Sequence, residues 1–242
     1  AYKKALSLKP HYAEAYNNMG ICFQYIGKLE DAVKAFNKSI SLKPNYAYAF
    51  NNIAGSLKDL GKFDDALNAY DKALLINPDY AEAYYNSSFI YNLRGDLKKG
   101  LELYEWRLKK KDVKIRSPRQ DLIWDGIQSV SGKDFLVYEE QGLGDIIQIC
   151  RYLPLLKQKG AKVTFKVQQK MHALLETMNR DIVLVDSDVD NKIDFETPLM
   201  SLPFLFNTIL DTIPSSTPYL FAEHDKVISW GKYLTKPTFK IG

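Results

Sequence analysis

The sequence predicts two architectures in one chain: an all-α solenoid of helix pairs, then an α/β domain built on a parallel sheet. Two observations carry this. Pro10, Pro44 and Pro78 recur every 34 residues, in phase with Gly27, Gly61 and Gly95. Beyond about residue 126 that period ends, and short apolar runs alternate with amphipathic stretches. The first pattern is that of stacked helical repeats. The second is that of strands joined by crossover helices.

Each repeat reads as two helices. In the first, helix A spans Ala13–Tyr25 and helix B about Leu29–Ser41. Gly27 breaks the pair, because a left-handed turn suits glycine. Pro44 stops helix B. Tyr12, Tyr46 and Tyr80 keep the period, as do Ala15, Ala49 and Ala83, and the aromatics Tyr2, Phe36, Tyr70 and Tyr104. Gly20 and Ala54 on helix A, with Ala32 and Ala66 on helix B, let the paired axes approach. One pair cannot bury its apolar face alone, so the pairs must stack. The third unit departs from the pattern at Ser87, Ser88, Gly100, Arg107 and Asp112, as expected of a terminal repeat.

These offsets resemble the tetratricopeptide (TPR) repeat. The resemblance implies a TPR solenoid over 1–112, with a partial repeat at 1–10 and about three repeats after it. It also implies a superhelix whose concave face, lined by the A helices, binds a protein or an extended peptide. Asn18, Asn52 and Asn86 recur at one helix-A position. In similar arrays an asparagine ladder grips the backbone of a bound peptide, since a carboxamide both donates and accepts. The residues themselves allow a second reading, in which the asparagines cap or bridge neighbouring helices. Glu14, Tyr48 and Glu82 are expected to flank the groove.

A junction is expected at 113–126, with Trp124 as an aromatic plug. Residues 127–242 then read as a Rossmann-like half. The expected strands are Asp134–Tyr138, Ala161–Val167, Asp181–Val185 and Lys192–Phe195. Helices are expected at Asp145–Lys159, Gln169–Met178, Met200–Leu210 and Asp225–Tyr233. Lys240–Gly242 reads as the start of a further strand and a second α/β domain. After the first strand comes Gly142-Leu-Gly144-Asp145, a glycine turn running into a helix. Such a turn is a ligand cradle in many α/β proteins.

Composition narrows the partners. An apolar share of 46% and a charged share of 26% argue against disorder. No apolar run approaches the roughly 18 residues of a membrane helix. The opening stretch lacks an apolar signal core, so a cytoplasmic location is expected. Residues 1–112 carry 17 Lys/Arg against 13 Asp/Glu, and residues 113–242 carry 16 against 16. With no concentrated basic face, nucleic acid is not an expected partner. Cys22 and Cys150 are expected as buried free thiols. His11, His172 and His224 are too scattered for a metal site.

The second half carries a further resemblance. YEWR at Tyr104–Arg107, the Trp124–Gly126 turn, EEQGLGDIIQICRYLPLL, PLMSLP at Pro198–Pro203, and DTIP with PYL at Asp211–Leu220 are similar to a bacterial family. That family joins TPR arrays to a glycosyltransferase-like module. The module is similar to the lipopolysaccharide heptosyltransferases and, more distantly, to protein O-linked N-acetylglucosamine transferases. The resemblance implies a GT-B-type fold of two Rossmann-like halves, of which 127–242 is the acceptor-side half. No cofactor is expected in this part; the implied donor is a nucleotide sugar, and the implied acceptor a glycan or protein. Asp145 matches the position of the proposed general base. Glu140, Gln141, Gly142, Gly144, Asp194 and Ser201 are the candidate cleft residues. Two roles stand open for Asp145, catalytic base or helix cap. Two stand open for the module, transferase half or non-catalytic docking domain on a protein-interaction scaffold.

Overall fold

The computed structural model describes residues 6–110, 119–140, 142–178, 181–189 and 192–233. Gln141, residues 113–118 of the expected junction and the expected strand at 240–242 lie outside them. The chain divides into two compact units, Ala1–Ile115 and Arg116–Gly242, each taken by itself below.

Among the described residues the first unit is helical, with three antiparallel pairs: α1 (Ala13–Tyr25) with α2 (Leu29–Leu42), α3 (Ala47–Asp59) with α4 (Phe63–Ile76), and α5 (Ala81–Leu93) with α6 (Leu97–Tyr104); residues 6–8 are also helical. The helix boundaries expected for the first repeat hold to within a residue. Gly27, Gly61 and Gly95 sit at φ +73°, +74° and +82° between the paired helices, where a side chain would be strained. Gly20 has a different role. A Cβ there would stand 2.6–2.9 Å from the ring of Phe36, which is fully buried between α1 and its partners. Ser39, also fully buried, donates its hydroxyl to the Ala13 carbonyl at 2.8 Å and ties α2 to the start of α1.

The second repeat replaces Phe36 with Tyr70, one percent exposed, whose hydroxyl finds no hydrogen-bond partner among the described residues. Burial pushes its pKa well above the ordinary tyrosine range. An unpaired buried hydroxyl costs free energy, so Tyr70→Phe is expected to stabilise the array by about 1 kcal/mol. Denaturant unfolding followed by circular dichroism measures this.

The third repeat decays as expected. α6 is short and passes into a 3₁₀ segment, Glu105–Lys109. Arg107 stands where Ser39 and Ala73 stand in the earlier repeats, and is itself buried. Its guanidinium bonds the Tyr104 carbonyl and the Glu105 carboxylate.

The second unit holds a four-stranded, all-parallel sheet in the order β3-β2-β1-β4. The strands are β1 (Asp134–Tyr138), β2 (Lys162–Lys166), β3 (Val183–Val185) and β4 (Phe195–Pro198). β1 falls where the apolar run predicts it, and four of its five residues are buried. β4 begins where the expected strand ends, and takes Pro198 in place of Lys192–Asp194. Pro198 is tolerated because β4 is a lateral strand.

The expected helix Asp145–Lys159 is three pieces: α7 (Leu143–Ile149), a 3₁₀ turn at Cys150–Tyr152, and α8 (Leu153–Gln158). Pro154 explains the break, since it lacks an N–H and its ring crowds the carbonyl four residues back. The expected helices at Gln169–Met178 and Met200–Leu210 are likewise shorter: α9 (His172–Leu175) and α10 (Leu202–Leu205), each entered through a 3₁₀ turn. α11 spans His224–Tyr233.

Residues 119–126 of the expected junction belong to this second unit. Trp124 is buried in its core, edge-on to Phe135 at 5.4 Å and to Phe206 at 5.7 Å. Ile123 bridges to Glu196 beside β4. Glu196, fully buried, accepts from the Arg119 backbone N–H and from its guanidinium, 3.1 Å away. No helix among the described residues is long and apolar enough to cross a membrane.

The two thiols differ, which corrects the expectation of two buried cysteines. Cys150 is buried and its pKa is pushed up to about 12 by desolvation. Cys22 is exposed. Its repeat equivalents, Ser56 and Ile90, are both fully buried. Iodoacetamide is therefore expected to alkylate Cys22 in the folded protein and Cys150 only after denaturation, as peptide mass spectrometry would show.

Candidate functional site

The A helices bring two asparagine rows together. Asn52 donates its Nδ2 to Asn17 Oδ1 at 3.0 Å, and Asn86 donates to Asn51 Oδ1 at 3.2 Å. Within each helix, Asn17 and Asn51 reach their neighbours Asn18 and Asn52 at 3.5 Å. The result is a chain of carboxamides running from α1 through α3 to α5. Its inner members, Asn17 and Asn51, are buried; Asn52 and Asn86 are half-buried and Asn18 is exposed. The sequence singles out the outer row, but the inner row is what holds it in place. The signal for the inner row is Asn17 and Asn51 themselves, 34 residues apart. In the third repeat Tyr85 takes that inner position.

One turn earlier stands the flanking row. Glu14 pairs with Lys43 at 2.7 Å, and that ammonium holds its carboxyl below the usual range. Tyr48 is 60% exposed and edge-on to Tyr80 at 5.3 Å and Tyr46 at 6.0 Å. Glu82 is half-buried at the first turn of α5.

In the second unit, β1 and β4 are neighbours, and the loops that follow them leave the same edge of the sheet. The loop after β1 carries Glu140, half-buried, and then exposed Gly142 and Gly144. The segment after β4 carries Ser201, which is buried against α7's side of the core. Asp145 lies at the third position of α7, and its Oδ2 accepts the Gly142 N–H at 3.2 Å. The bond closes the helix start, as a capping carboxylate does. Gly142 is extended, with φ −69°, and nothing lies within 4 Å of a Cβ placed on Gly144. Neither glycine is demanded by backbone conformation.

Asp194 is not with them. It lies at the other end of the sheet, ahead of β4, and its Oδ2 accepts the Asp134 N–H at 3.0 Å. That bond, with Lys133 nearby, holds its pKa below the ordinary carboxylate value. Asp194 is expected near the C-terminal end of the strand Lys192–Phe195; the observed strand begins at Phe195, and that three-residue shift carries Asp194 to the opposite edge.

Residues 13–46 match the family model described as tetratricopeptide repeat, and residues 56–95 the model described as TPR repeat. The helical unit is thus built of TPR repeats, a protein-interaction scaffold. Among solved structures, the chain is similar to a crystal structure of MamA: 29% identity, 46% of this chain and 65% of that one, TM-score 0.42. A crystal structure titled MamA protein is similar at 28% identity, 45% of this chain and 59% of that one, TM-score 0.41. The chain therefore spans less than two thirds of either. Among curated proteins none matches the chain.

Proposed function

We propose that the helical unit binds an extended peptide segment of a partner protein along its asparagine rungs. The observation that carries this is the interlocked carboxamide chain. Asn52 and Asn86 each spend one N–H on the preceding repeat, and a carboxamide has two. The second N–H and the remaining oxygen lone pairs are free to meet peptide carbonyls and amides. Because the rungs are already held, little side-chain freedom is lost on binding.

Asn18→Ala/Asn52→Ala/Asn86→Ala is expected to weaken peptide binding severalfold in fluorescence anisotropy. Affinity equal to the parent chain would overturn the reading. Asn18→Ala alone separates recognition from packing, because Asn18 makes no bond to a neighbouring helix among the described residues.

For the second unit we propose a Rossmann-like half that forms the acceptor-side wall of a glycosyltransferase-like module, with a glycan or protein as acceptor. Its support is the strand order. The order reverses between β1 and β4, and the Gly142–Asp145 turn leaves the sheet there. Open α/β sheets take ligands at that point. The bond from Gly142 to Asp145 favours a second reading of this unit, a docking domain without catalysis, over a catalytic base. Transfer from a panel of nucleotide sugars distinguishes them: activity that falls with Asp145→Ala while the fold is retained restores the base.

A further inference from the structure

We propose that the helical unit carries a small-molecule site on the face of α5 turned away from the asparagine rungs. It is a pocket between α4, α5 and α6 that takes an aromatic amine, with the apolar body inside and the cation at Asp71. The site stands apart from the peptide reading above and does not depend on it.

The pocket has a volume of about 450 Å³. Its walls are Leu74 and Leu75 of α4, Tyr84 and Tyr91 of α5, and Leu103 of α6, with Ser87 of α5 at the floor. Tyr84, Ser87 and Tyr91 follow one another at helical spacing and share one face of α5, whereas Glu82, Asn86 and Phe89 share the opposite face.

The earlier repeats supply an internal comparison. Ser87, four percent exposed, stands where they have Met19 and Ile53. Its hydroxyl is spent on the Tyr84 carbonyl at 2.8 Å. A long apolar side chain is thus replaced by a short one in the seam where α5 meets α4. Leu75 stands where the first repeat has Ser41, and at 82% exposure it forms an apolar lip. Tyr84 is stacked on Trp106 with centroids 4.0 Å apart, which holds that wall in place. The volume lies in the range of small-molecule clefts, roughly 300–1,000 Å³, and this makes a free small molecule the occupant.

Charge gives its chemical class. Asp71 and Lys99, both exposed, stand at the mouth. Lys99 Nζ is held by Glu102 at 3.4 Å, so an anion would have to displace that pair. Lys72, next to Asp71, lies over the Phe50 ring of α3 at 5.9 Å. Asp71 itself has no ion pair among the described residues. A carboxylate beside two tyrosine rings attracts positive charge twice over, by its own charge and by the ring faces. The leucines accept the apolar body behind it.

The test is calorimetric titration of the full chain with phenethylamine, 2-phenylethanol and 3-phenylpropionate, which share a body and differ in charge. Phenethylamine is expected to bind about tenfold more tightly than the alcohol, and the propionate more weakly than either. Ser87→Ile, which restores the pattern of the second repeat, should remove binding while leaving the unfolding midpoint unchanged or higher. Asp71→Asn, an exposed substitution, should bring the amine down to the alcohol. The triple asparagine variant should bind the amine as the parent chain does. Propionate binding equal to that of the amine would overturn the proposal, as would amine binding unchanged in both pocket variants. So would the absence of binding by all three compounds at millimolar concentration. Displacement of the amine by an equal concentration of a lysine tripeptide would overturn the assignment to a free small molecule.

Discussion

Trp124→Ala is expected to destabilise the α/β unit by about 3–5 kcal/mol, the cost of emptying a fully buried aromatic site. Trp124 is one percent exposed and joins two aromatic neighbours, Phe135 on β1 and Phe206 after α10. Its indole N–H donates to the Gln128 carbonyl at 3.0 Å, so truncation also strands that acceptor. Domains of this size hold about 5–15 kcal/mol in total, so the loss removes much of the margin. Chemical denaturation followed by the fluorescence of the remaining tryptophans would show an early transition. Trp124→Phe keeps most of the volume and should lose roughly half as much or less. A transition unmoved by Trp124→Ala would place the residue outside the cooperative core.

Gly20→Ala is expected to cost the helical array about 1–3 kcal/mol by overpacking. In an exposed helix the same change would be stabilising. The sign is reversed because the new methyl would sit 2.6–2.9 Å from ring carbons of Phe36, a side chain with no room to turn aside. A second substitution isolates the cause. Phe36→Leu is destabilising alone, but in the double variant it should recover part of the loss, giving a coupling energy of opposite sign to the singles. Strict additivity in denaturant midpoints would exclude the ring contact as the origin.

The repeats were legible nearly to the residue, because helix pairing in a solenoid is local and every unit repeats the same evidence. Pro10, Pro44 and Pro78, with Gly27, Gly61 and Gly95, mark each turn independently. β1 was legible for a similar reason: an apolar run bounded by polar residues has one reading. β4 was not. Its identity depends on Glu196 being buried, and that depends on Arg119, distant in sequence, arriving to pair with it. No local pattern announces a buried carboxylate. The candidate site divides the same way. The outer asparagines show in the 34-residue period, but that they hang from Asn17 and Asn51 is a cross-repeat fact. Asp194 would share a neighbourhood with Asp145 only if β4 began three residues earlier.

The bridge between Ile123 and Glu196 has a consequence for how this molecule meets others. A sheet's outermost strands are open templates onto which a foreign chain can add. On the β4 side, part of that template is occupied by the protein's own segment leading from Arg119 to Trp124. On the β3 side the strand is only three residues long. Little backbone remains for strand addition or for edge-to-edge stacking between copies. Association by this unit is therefore expected to run through side chains, with the backbone of the sheet kept to itself.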